Sequence, residues 1–178
     1  MKFSSVFFTA ALSVSTFANP LAKRDVATVR ADLATLTTQV RTLDTTITNY
    51  SGGLAGALTI HTQSVTVVTT TNKATTDTQA TAAWSVADGR NILNDVLALE
   101  PLIIHSLQQI VVKKPIFVAL PAGGIPAIVA QDLRDLGAAT TRLEDALIAK
   151  TPASQVAEAT AVKTRVDAAF RTAVAAYS

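Results

Sequence analysis

Residues 26–50 read VATVRADLATLTTQVRTLDTTITNY, and their apolar members step by threes and fours: Val26, Val29, Leu33, Leu36, Val40, Leu43, Ile47 and Tyr50. That spacing puts all eight on one side of a 3.6-residue helix, while Arg30, Asp32, Arg41 and Asp44 fall outside the stripe. The stretch is an amphipathic helix that needs a partner for its apolar side. Later segments of the chain supply similar faces.

After Gly52-Gly53, the positions Leu54, Leu58, His61, Val65, Val68, Asn72 and Thr75 repeat the step. The Thr content lowers helix propensity, so a second helix competes here with a strand around 64–71. Ser85-Val86-Ala87-Asp88 has the spacing of an N-terminal capping box, and from Ile92 to Val112 the chain is apolar on nearly every side, as a central helix should be. Glu100-Pro101 in its middle predicts a kink, because proline removes a hydrogen bond and clashes with the preceding turn. A fourth helix is expected from near Pro126 through Leu147. A fifth is expected after Thr151 as N-cap and Pro152 in the first turn, carrying Val156, Val162, Val166, Phe170 and Val174. The expected fold is all-α: a five-helix up-and-down bundle of long amphipathic helices with a kinked third helix. One connection, 113–126, is apolar where loops are normally polar. It is either folded down over the bundle end or an exposed flap.

The chain has 178 residues, 49% hydrophobic and 16% charged, with no cysteine, so disulfide frameworks and thiolate chemistry are excluded and stability rests on burial. Lys2, an apolar stretch and a small residue at Ala18 read as a secretory signal over 1–18. Residues 19–24 read as a short propeptide ending in Lys23-Arg24, which leaves 25–178 as one domain. Removing 1–24 takes three of the 15 basic residues and none of the 13 acidic ones, so the formal charge falls from +2 to −1. Without a basic excess, neither nucleic acid nor an anionic membrane surface is an expected partner, and the leader is too short for a transmembrane anchor.

Catalytic signatures are missing: there is no G-x-S-x-G elbow, phosphate-cradling loop or H-E-x-x-H pair. His61 and His105 lie on different helices with no acidic residue expected beside either, so no metal or cofactor is anticipated, and His61 reads as a core histidine or a polar point in a cavity. Asp132, Asp135, Glu144, Asp145 and Asp167 alternate with Arg134, Arg142, Lys163 and Arg171, the pattern of a solvated, salt-bridged face. An enzyme is not expected. The interior is rich in Ala and Thr and poor in aromatics, which suits either close helix packing or an elongated apolar cavity.

Asp25-Val26 with Val29 and Leu33, the run Lys113-Lys114-Pro115-Ile116-Phe117, the closing Leu133/Leu136 and Val166/Phe170 spacings, and the leader ending in Lys-Arg together resemble the fungal hydrophobic surface-binding protein family, which includes cell-wall galactomannoproteins. The resemblance implies a secreted, non-enzymatic five-helix domain that adsorbs to hydrophobic surfaces, with relatives that enclose fatty acids. A Ser/Thr-rich stalk and a hydrophobic C-terminal tail are missing, which argues against permanent wall anchorage. Cell-wall polysaccharide and a secreted hydrolase are further expected partners, and Asn49-Tyr50-Ser51 is an N-glycosylation signal at Asn49.

Two mechanisms suit an acyl ligand. In one, the chain lies between the first three helices and the fourth against Leu36, Val40, Leu43, His61, Val65, Val96, Ile103, Leu107 and Leu136, with Phe117 and Leu120 near the entrance. In the other, the apolar loop or an opened bundle spreads on the hydrophobic surface. The alternative is a structural wall mannoprotein with a filled core and no small ligand.

Overall fold

The structure, a computed structural model, describes residues 25–178; the leader and the Lys23-Arg24 pair lie outside them. Among the described residues the regular structure is all helical: α1 (Val26–Asn49), α2 (Leu54–Gln79), α3 (Val86–Val112), α4 (Lys114–Val118), α5 (Ile125–Lys150), a 3-10 turn (Ala153–Gln155) and α6 (Val156–Ala176). The Asp25 carboxylate accepts the Thr28 N–H at 2.9 Å and so caps α1, and this bond holds its pKa below the ordinary carboxylate value. Ser85 caps α3 by accepting from the Asp88 N–H, and its hydroxyl donates to the Asp88 carboxylate at 2.7 Å. Pro101 lies inside α3 and kinks it.

Ion pairs and hydrogen bonds give the direction of each neighbour. Arg30 with Asp95 and Asp44 with His105 make α1 and α3 parallel, whereas Asp32 with Lys73 makes α1 and α2 antiparallel. His61 with Asp132 and Asn72 with Arg142 make α2 and α5 parallel. Thr141 with Asp167 and Glu144 with Lys163 make α5 and α6 antiparallel, and Arg90–Glu158 with Glu100–Arg165 makes α6 and α3 parallel. The long helices therefore alternate in direction along the chain, but around the bundle they run α1, α2, α5, α6, α3 and back to α1, a closed ring. At helix spacings of about 9 Å, the centre of a five-membered ring lies roughly 8 Å from every axis, against roughly 6 Å for a four-helix bundle. Side chains of Val and Leu size do not reach across that centre.

Ring order forces two connections to cross the ends. One, 80–85, carries Trp84, which is buried; its ring N–H donates to the Thr81 hydroxyl and its backbone N–H to the Lys150 carbonyl. The other, 113–126, contains α4, a short helix started by Pro115 where the sequence suggested only a loop. Phe117 is 1% exposed and stacks on Tyr50 with ring centroids 4.6 Å apart, so this segment is mostly folded down on the bundle end. Tyr177 closes the same end by donating to the Ile110 carbonyl at 2.8 Å.

Two local expectations are corrected. Thr151 does not cap the last helix: its hydroxyl donates back to the Leu147 carbonyl, and the chain enters α6 through the 3-10 turn. The segment 64–71 is helix rather than strand, and α2 is rotated by about one residue from the expected face. Its buried residues are Ala57, Ile60, Ser64, Val67, Thr71, Ala74, Thr75, Asp77 and Thr78, while Leu54, Leu58 and Val65 are 46, 50 and 49% exposed. Short side chains let α2 approach α1 and α5 closely, and the hydroxyls of Ser64, Thr71 and Thr75 each bond the carbonyl four residues back, so their burial leaves them satisfied.

Candidate functional site: an apolar cavity along the bundle axis

All five long helices line a central cavity of about 80 Å³. Leu33, Leu36, Val40 and Leu43 come from α1, Val67 and Thr71 from α2, and Val96, Leu99, Ile103 and Leu107 from α3. Leu136, Leu143 and Leu147 come from α5, and Val162, Val166 and Phe170 from α6. Val96 and Ile103 sit at the centre of the inward arc of α3 between the buried Ile92, Leu99 and Leu107, yet both are only partly buried. Both line the cavity. A smaller void of about 30 Å³ continues it towards Ile92, Ile148 and Ala159. Another of about 40 Å³ continues it towards Ile47, Ile60, Ile110 and Val129. Shared walls at Val96, Leu147 and Val162 on one side, and at Leu43, Leu107 and Leu136 on the other, string the three along the axis.

Seven of the sequence-predicted contacts meet in this wall: Leu36, Val40, Leu43, Val96, Ile103, Leu107 and Leu136. Val65 does not, because the rotation of α2 turns it to solvent and puts Val67 and Thr71 in its place. His61 is also outside the cavity. Its half-exposed ring pairs with Asp132 across the α2–α5 seam at 2.9 Å, and His105 pairs with Asp44 at 2.6 Å, so each histidine does have an acidic neighbour, supplied by a parallel helix rather than by its own. Burial raises the Asp132 carboxyl, with His61 opposing the shift. Phe117 and Leu120 lie at the α4 end, Phe117 as part of the closure and Leu120 partly buried against the core. Asn49 is exposed at the C-terminus of α1.

The wall also contains two carboxylates, of which sequence patterning assigned Glu144 to solvent. Glu100 and Glu144 are both buried and both face the cavity. Arg165 holds the two Glu100 oxygens at 2.5 and 2.9 Å, a bidentate pair that satisfies the carboxylate. Glu144 has no such partner. Its Oε2 makes no hydrogen bond, and the Lys163 ammonium stands 3.5 Å away, long for a good one. Burial pushes the Glu144 carboxyl up to about 7, with Lys163 acting in the opposite direction and Asp167 and Asp145 adding to the rise. Burial alone would lower Lys163, but the surrounding Asp167, Glu144 and Asp145 raise it. No group of His, Asp or Glu side chains among the described residues has the arrangement of a metal site.

A closed ring of helices around a mostly apolar string of voids, with Glu144 and Lys163 towards one end, Glu100 in the central wall and Asp132 at the other end, defines a binding scaffold. The family described as "Hydrophobic surface binding protein A" matches residues 26–149, and the chain belongs to that family. Among solved structures it is similar to Afmp4p in complex with palmitic acid, at 33% identity and a TM-score of 0.82, covering 86% of this chain and all of that one. It shares its fold, at 18% identity and a TM-score of 0.80, with ligand-binding domain 1 of the Penicillium marneffei MP1 protein complexed with arachidonic acids, covering 86% of this chain and 99% of that domain. Ligand-binding domain 2 of the same protein, complexed with multiple arachidonic acids, also has 18% identity and a TM-score of 0.80, with 88% and 98% covered. No curated protein matches significantly.

Proposed function

We propose that this is a secreted, non-enzymatic protein that takes a fatty acid into the space enclosed by its five long helices. The observation that carries this reading is the axial string of apolar voids to which every long helix contributes. Membership in a surface-binding family and similarity to a palmitic acid complex support it. The central void is smaller than the roughly 150 Å³ cavity that admits benzene, so an acyl chain enters by dilating the bundle. Each buried methylene contributes about 0.8 kcal/mol, which leaves a sixteen-carbon chain ample driving force against dilation and lost freedom. α3 is suited to yield, since Pro101 removes one of its helical hydrogen bonds and its flanking Leu97, Leu102 and Ile104 are only partly buried. Displacement of a fluorescent acyl probe by palmitic acid tests the reading; saturable one-to-one displacement supports it, and a probe that does not bind rejects it.

A second activity, adsorption to hydrophobic material, is favoured by a separate observation. Leu54, Leu58 and Val65 form one outward stripe on α2, and Val112, Val118 and Ile128 are also exposed. Replacing Leu54, Leu58 and Val65 by Ser should lower retention on hydrophobic beads severalfold while leaving acyl-probe affinity unchanged; equal retention removes the stripe from the mechanism. Secretion through the 1–18 signal and cleavage after Lys23-Arg24, an N-glycan on Asn49, and contacts with cell-wall polysaccharide or a secreted hydrolase are proposed on motif and family resemblance alone.

A further inference from the structure

We propose that Glu144 and Lys163 form the head-group subsite of this cavity, receiving the carboxyl of a fatty acid whose tail runs along the axis towards Ile110. This deepens the fatty-acid reading and rests on it. Glu144 faces both the central void and its neighbour at the Ile92 end, and Lys163 lines that neighbour. The buried Oε2 of Glu144 makes no hydrogen bond, with the Lys163 ammonium 3.5 Å away, and so is an open hydrogen-bonding position in a wall whose other polar members are Thr71, Glu100, Ser106 and Thr140. Glu100, the other wall carboxylate, is already bound by Arg165. From Val96, beside Glu144, to Ile110 is fourteen residues of α3, roughly 21 Å, and an extended sixteen-carbon chain is about 20 Å long. Head and tail therefore fit the distance between the Glu144–Lys163 pair and the Ile110 end, where Asp132, paired with His61, also borders the void.

The charge balance dictates how such a ligand is held. Lys163 is within 3.5 Å of Glu144 and Asp145 and 3.1 Å from Asp167, one cation against three acids. The facing walls of α1 and α2 bring no ionisable side chain to the cavity, and α3 brings only the Arg165-bound Glu100. A ligand carboxylate entering beside an ionised Glu144 would be repelled. With Glu144 protonated, its O–H donates to the ligand carboxylate and Lys163 supplies the opposite charge. Since the empty site titrates near 7, binding above that pH takes up one proton from solvent.

The test compares palmitic acid with its methyl ester, by acyl-probe displacement, between about pH 6 and pH 9, for the wild-type chain and Glu144→Gln. For the wild type, palmitic acid should weaken about tenfold for each pH unit above about 7, while the ester stays level. In Glu144→Gln, whose amide keeps a donor at every pH, the slope should disappear and affinity at the alkaline end should exceed that of the wild type. Lys163→Met should weaken the acid at least tenfold and leave the ester unchanged. Equal slopes in wild type and Glu144→Gln, or equal losses for acid and ester in Lys163→Met, overturn the subsite while leaving the cavity reading intact. If neither acid nor ester displaces the probe from the wild type, the fatty-acid reading falls and the subsite falls with it.

Discussion

Val96→Phe separates a cavity that is kept open from a core that is merely loose. Val96 lies at the centre of the inward face of α3, in the wall shared by the central void and its neighbour. Phenylalanine adds about 50 Å³ of side chain, less than the roughly 80 Å³ available, and at about 24 cal/mol per Å³ of void removed the substitution should stabilise the protein by about 1 kcal/mol. Valine and phenylalanine have similar helix propensities, so the backbone contributes little to the difference. For a chain of this size that gain corresponds to a melting temperature higher by about 2–4 °C. The ring would then occupy space an acyl chain needs, and affinity for palmitic acid should fall at least tenfold. Calorimetric melting and probe displacement on one preparation measure both effects. Overpacking of a filled core would instead cost about 1–3 kcal/mol. A variant that is less stable, or more stable with unchanged acyl affinity, would refute the account of the cavity.

Two further outcomes concern stability. Because Glu144 is raised from 4.5 to about 7, the folded state binds the extra proton, so its contribution is fully favourable below about pH 4.5, declines as pH rises to about 7 and is level above. Glu144→Gln should therefore be more stable than wild type by up to about 3 kcal/mol at pH 8, and the gap should shrink towards pH 4.5, as read from urea midpoints. Phe117→Ala removes a fully buried ring and its stack on Tyr50, and should cost about 3–5 kcal/mol in the same urea assay.

The fold was legible where burial is carried by large apolar side chains. The α1 stripe, the capped apolar α3 and its Pro101 all stand where periodicity predicts them. The register of α2 was not legible, because its inward face is largely Ala, Ser and Thr, with the Ser64, Thr71 and Thr75 hydroxyls bonded within the helix, while Leu54, Leu58 and Val65 point outward. The same limit governs the site. Wall residues on α1, α3 and α5 can be read from the stripes, but Val162, Val166 and Phe170 enter the wall only because ring order brings α6 against both α3 and α5. Glu144 sits among alternating charges that look solvated, and only its packing beside Lys163 in the ring puts it indoors. A hint was present in the spacing Val40, Leu43 and Leu136, Leu143: medium side chains on long helices in a chain poor in aromatics.

The most direct test is native mass spectrometry of the secreted protein, purified without denaturant and mixed with palmitic acid. A closed five-helix ring with an acyl-length axis predicts one bound chain per protein that survives desolvation and is lost in Val96→Phe. A folded protein that stays free of lipid at saturating palmitic acid would contradict the claim that its apolar interior is held for a ligand.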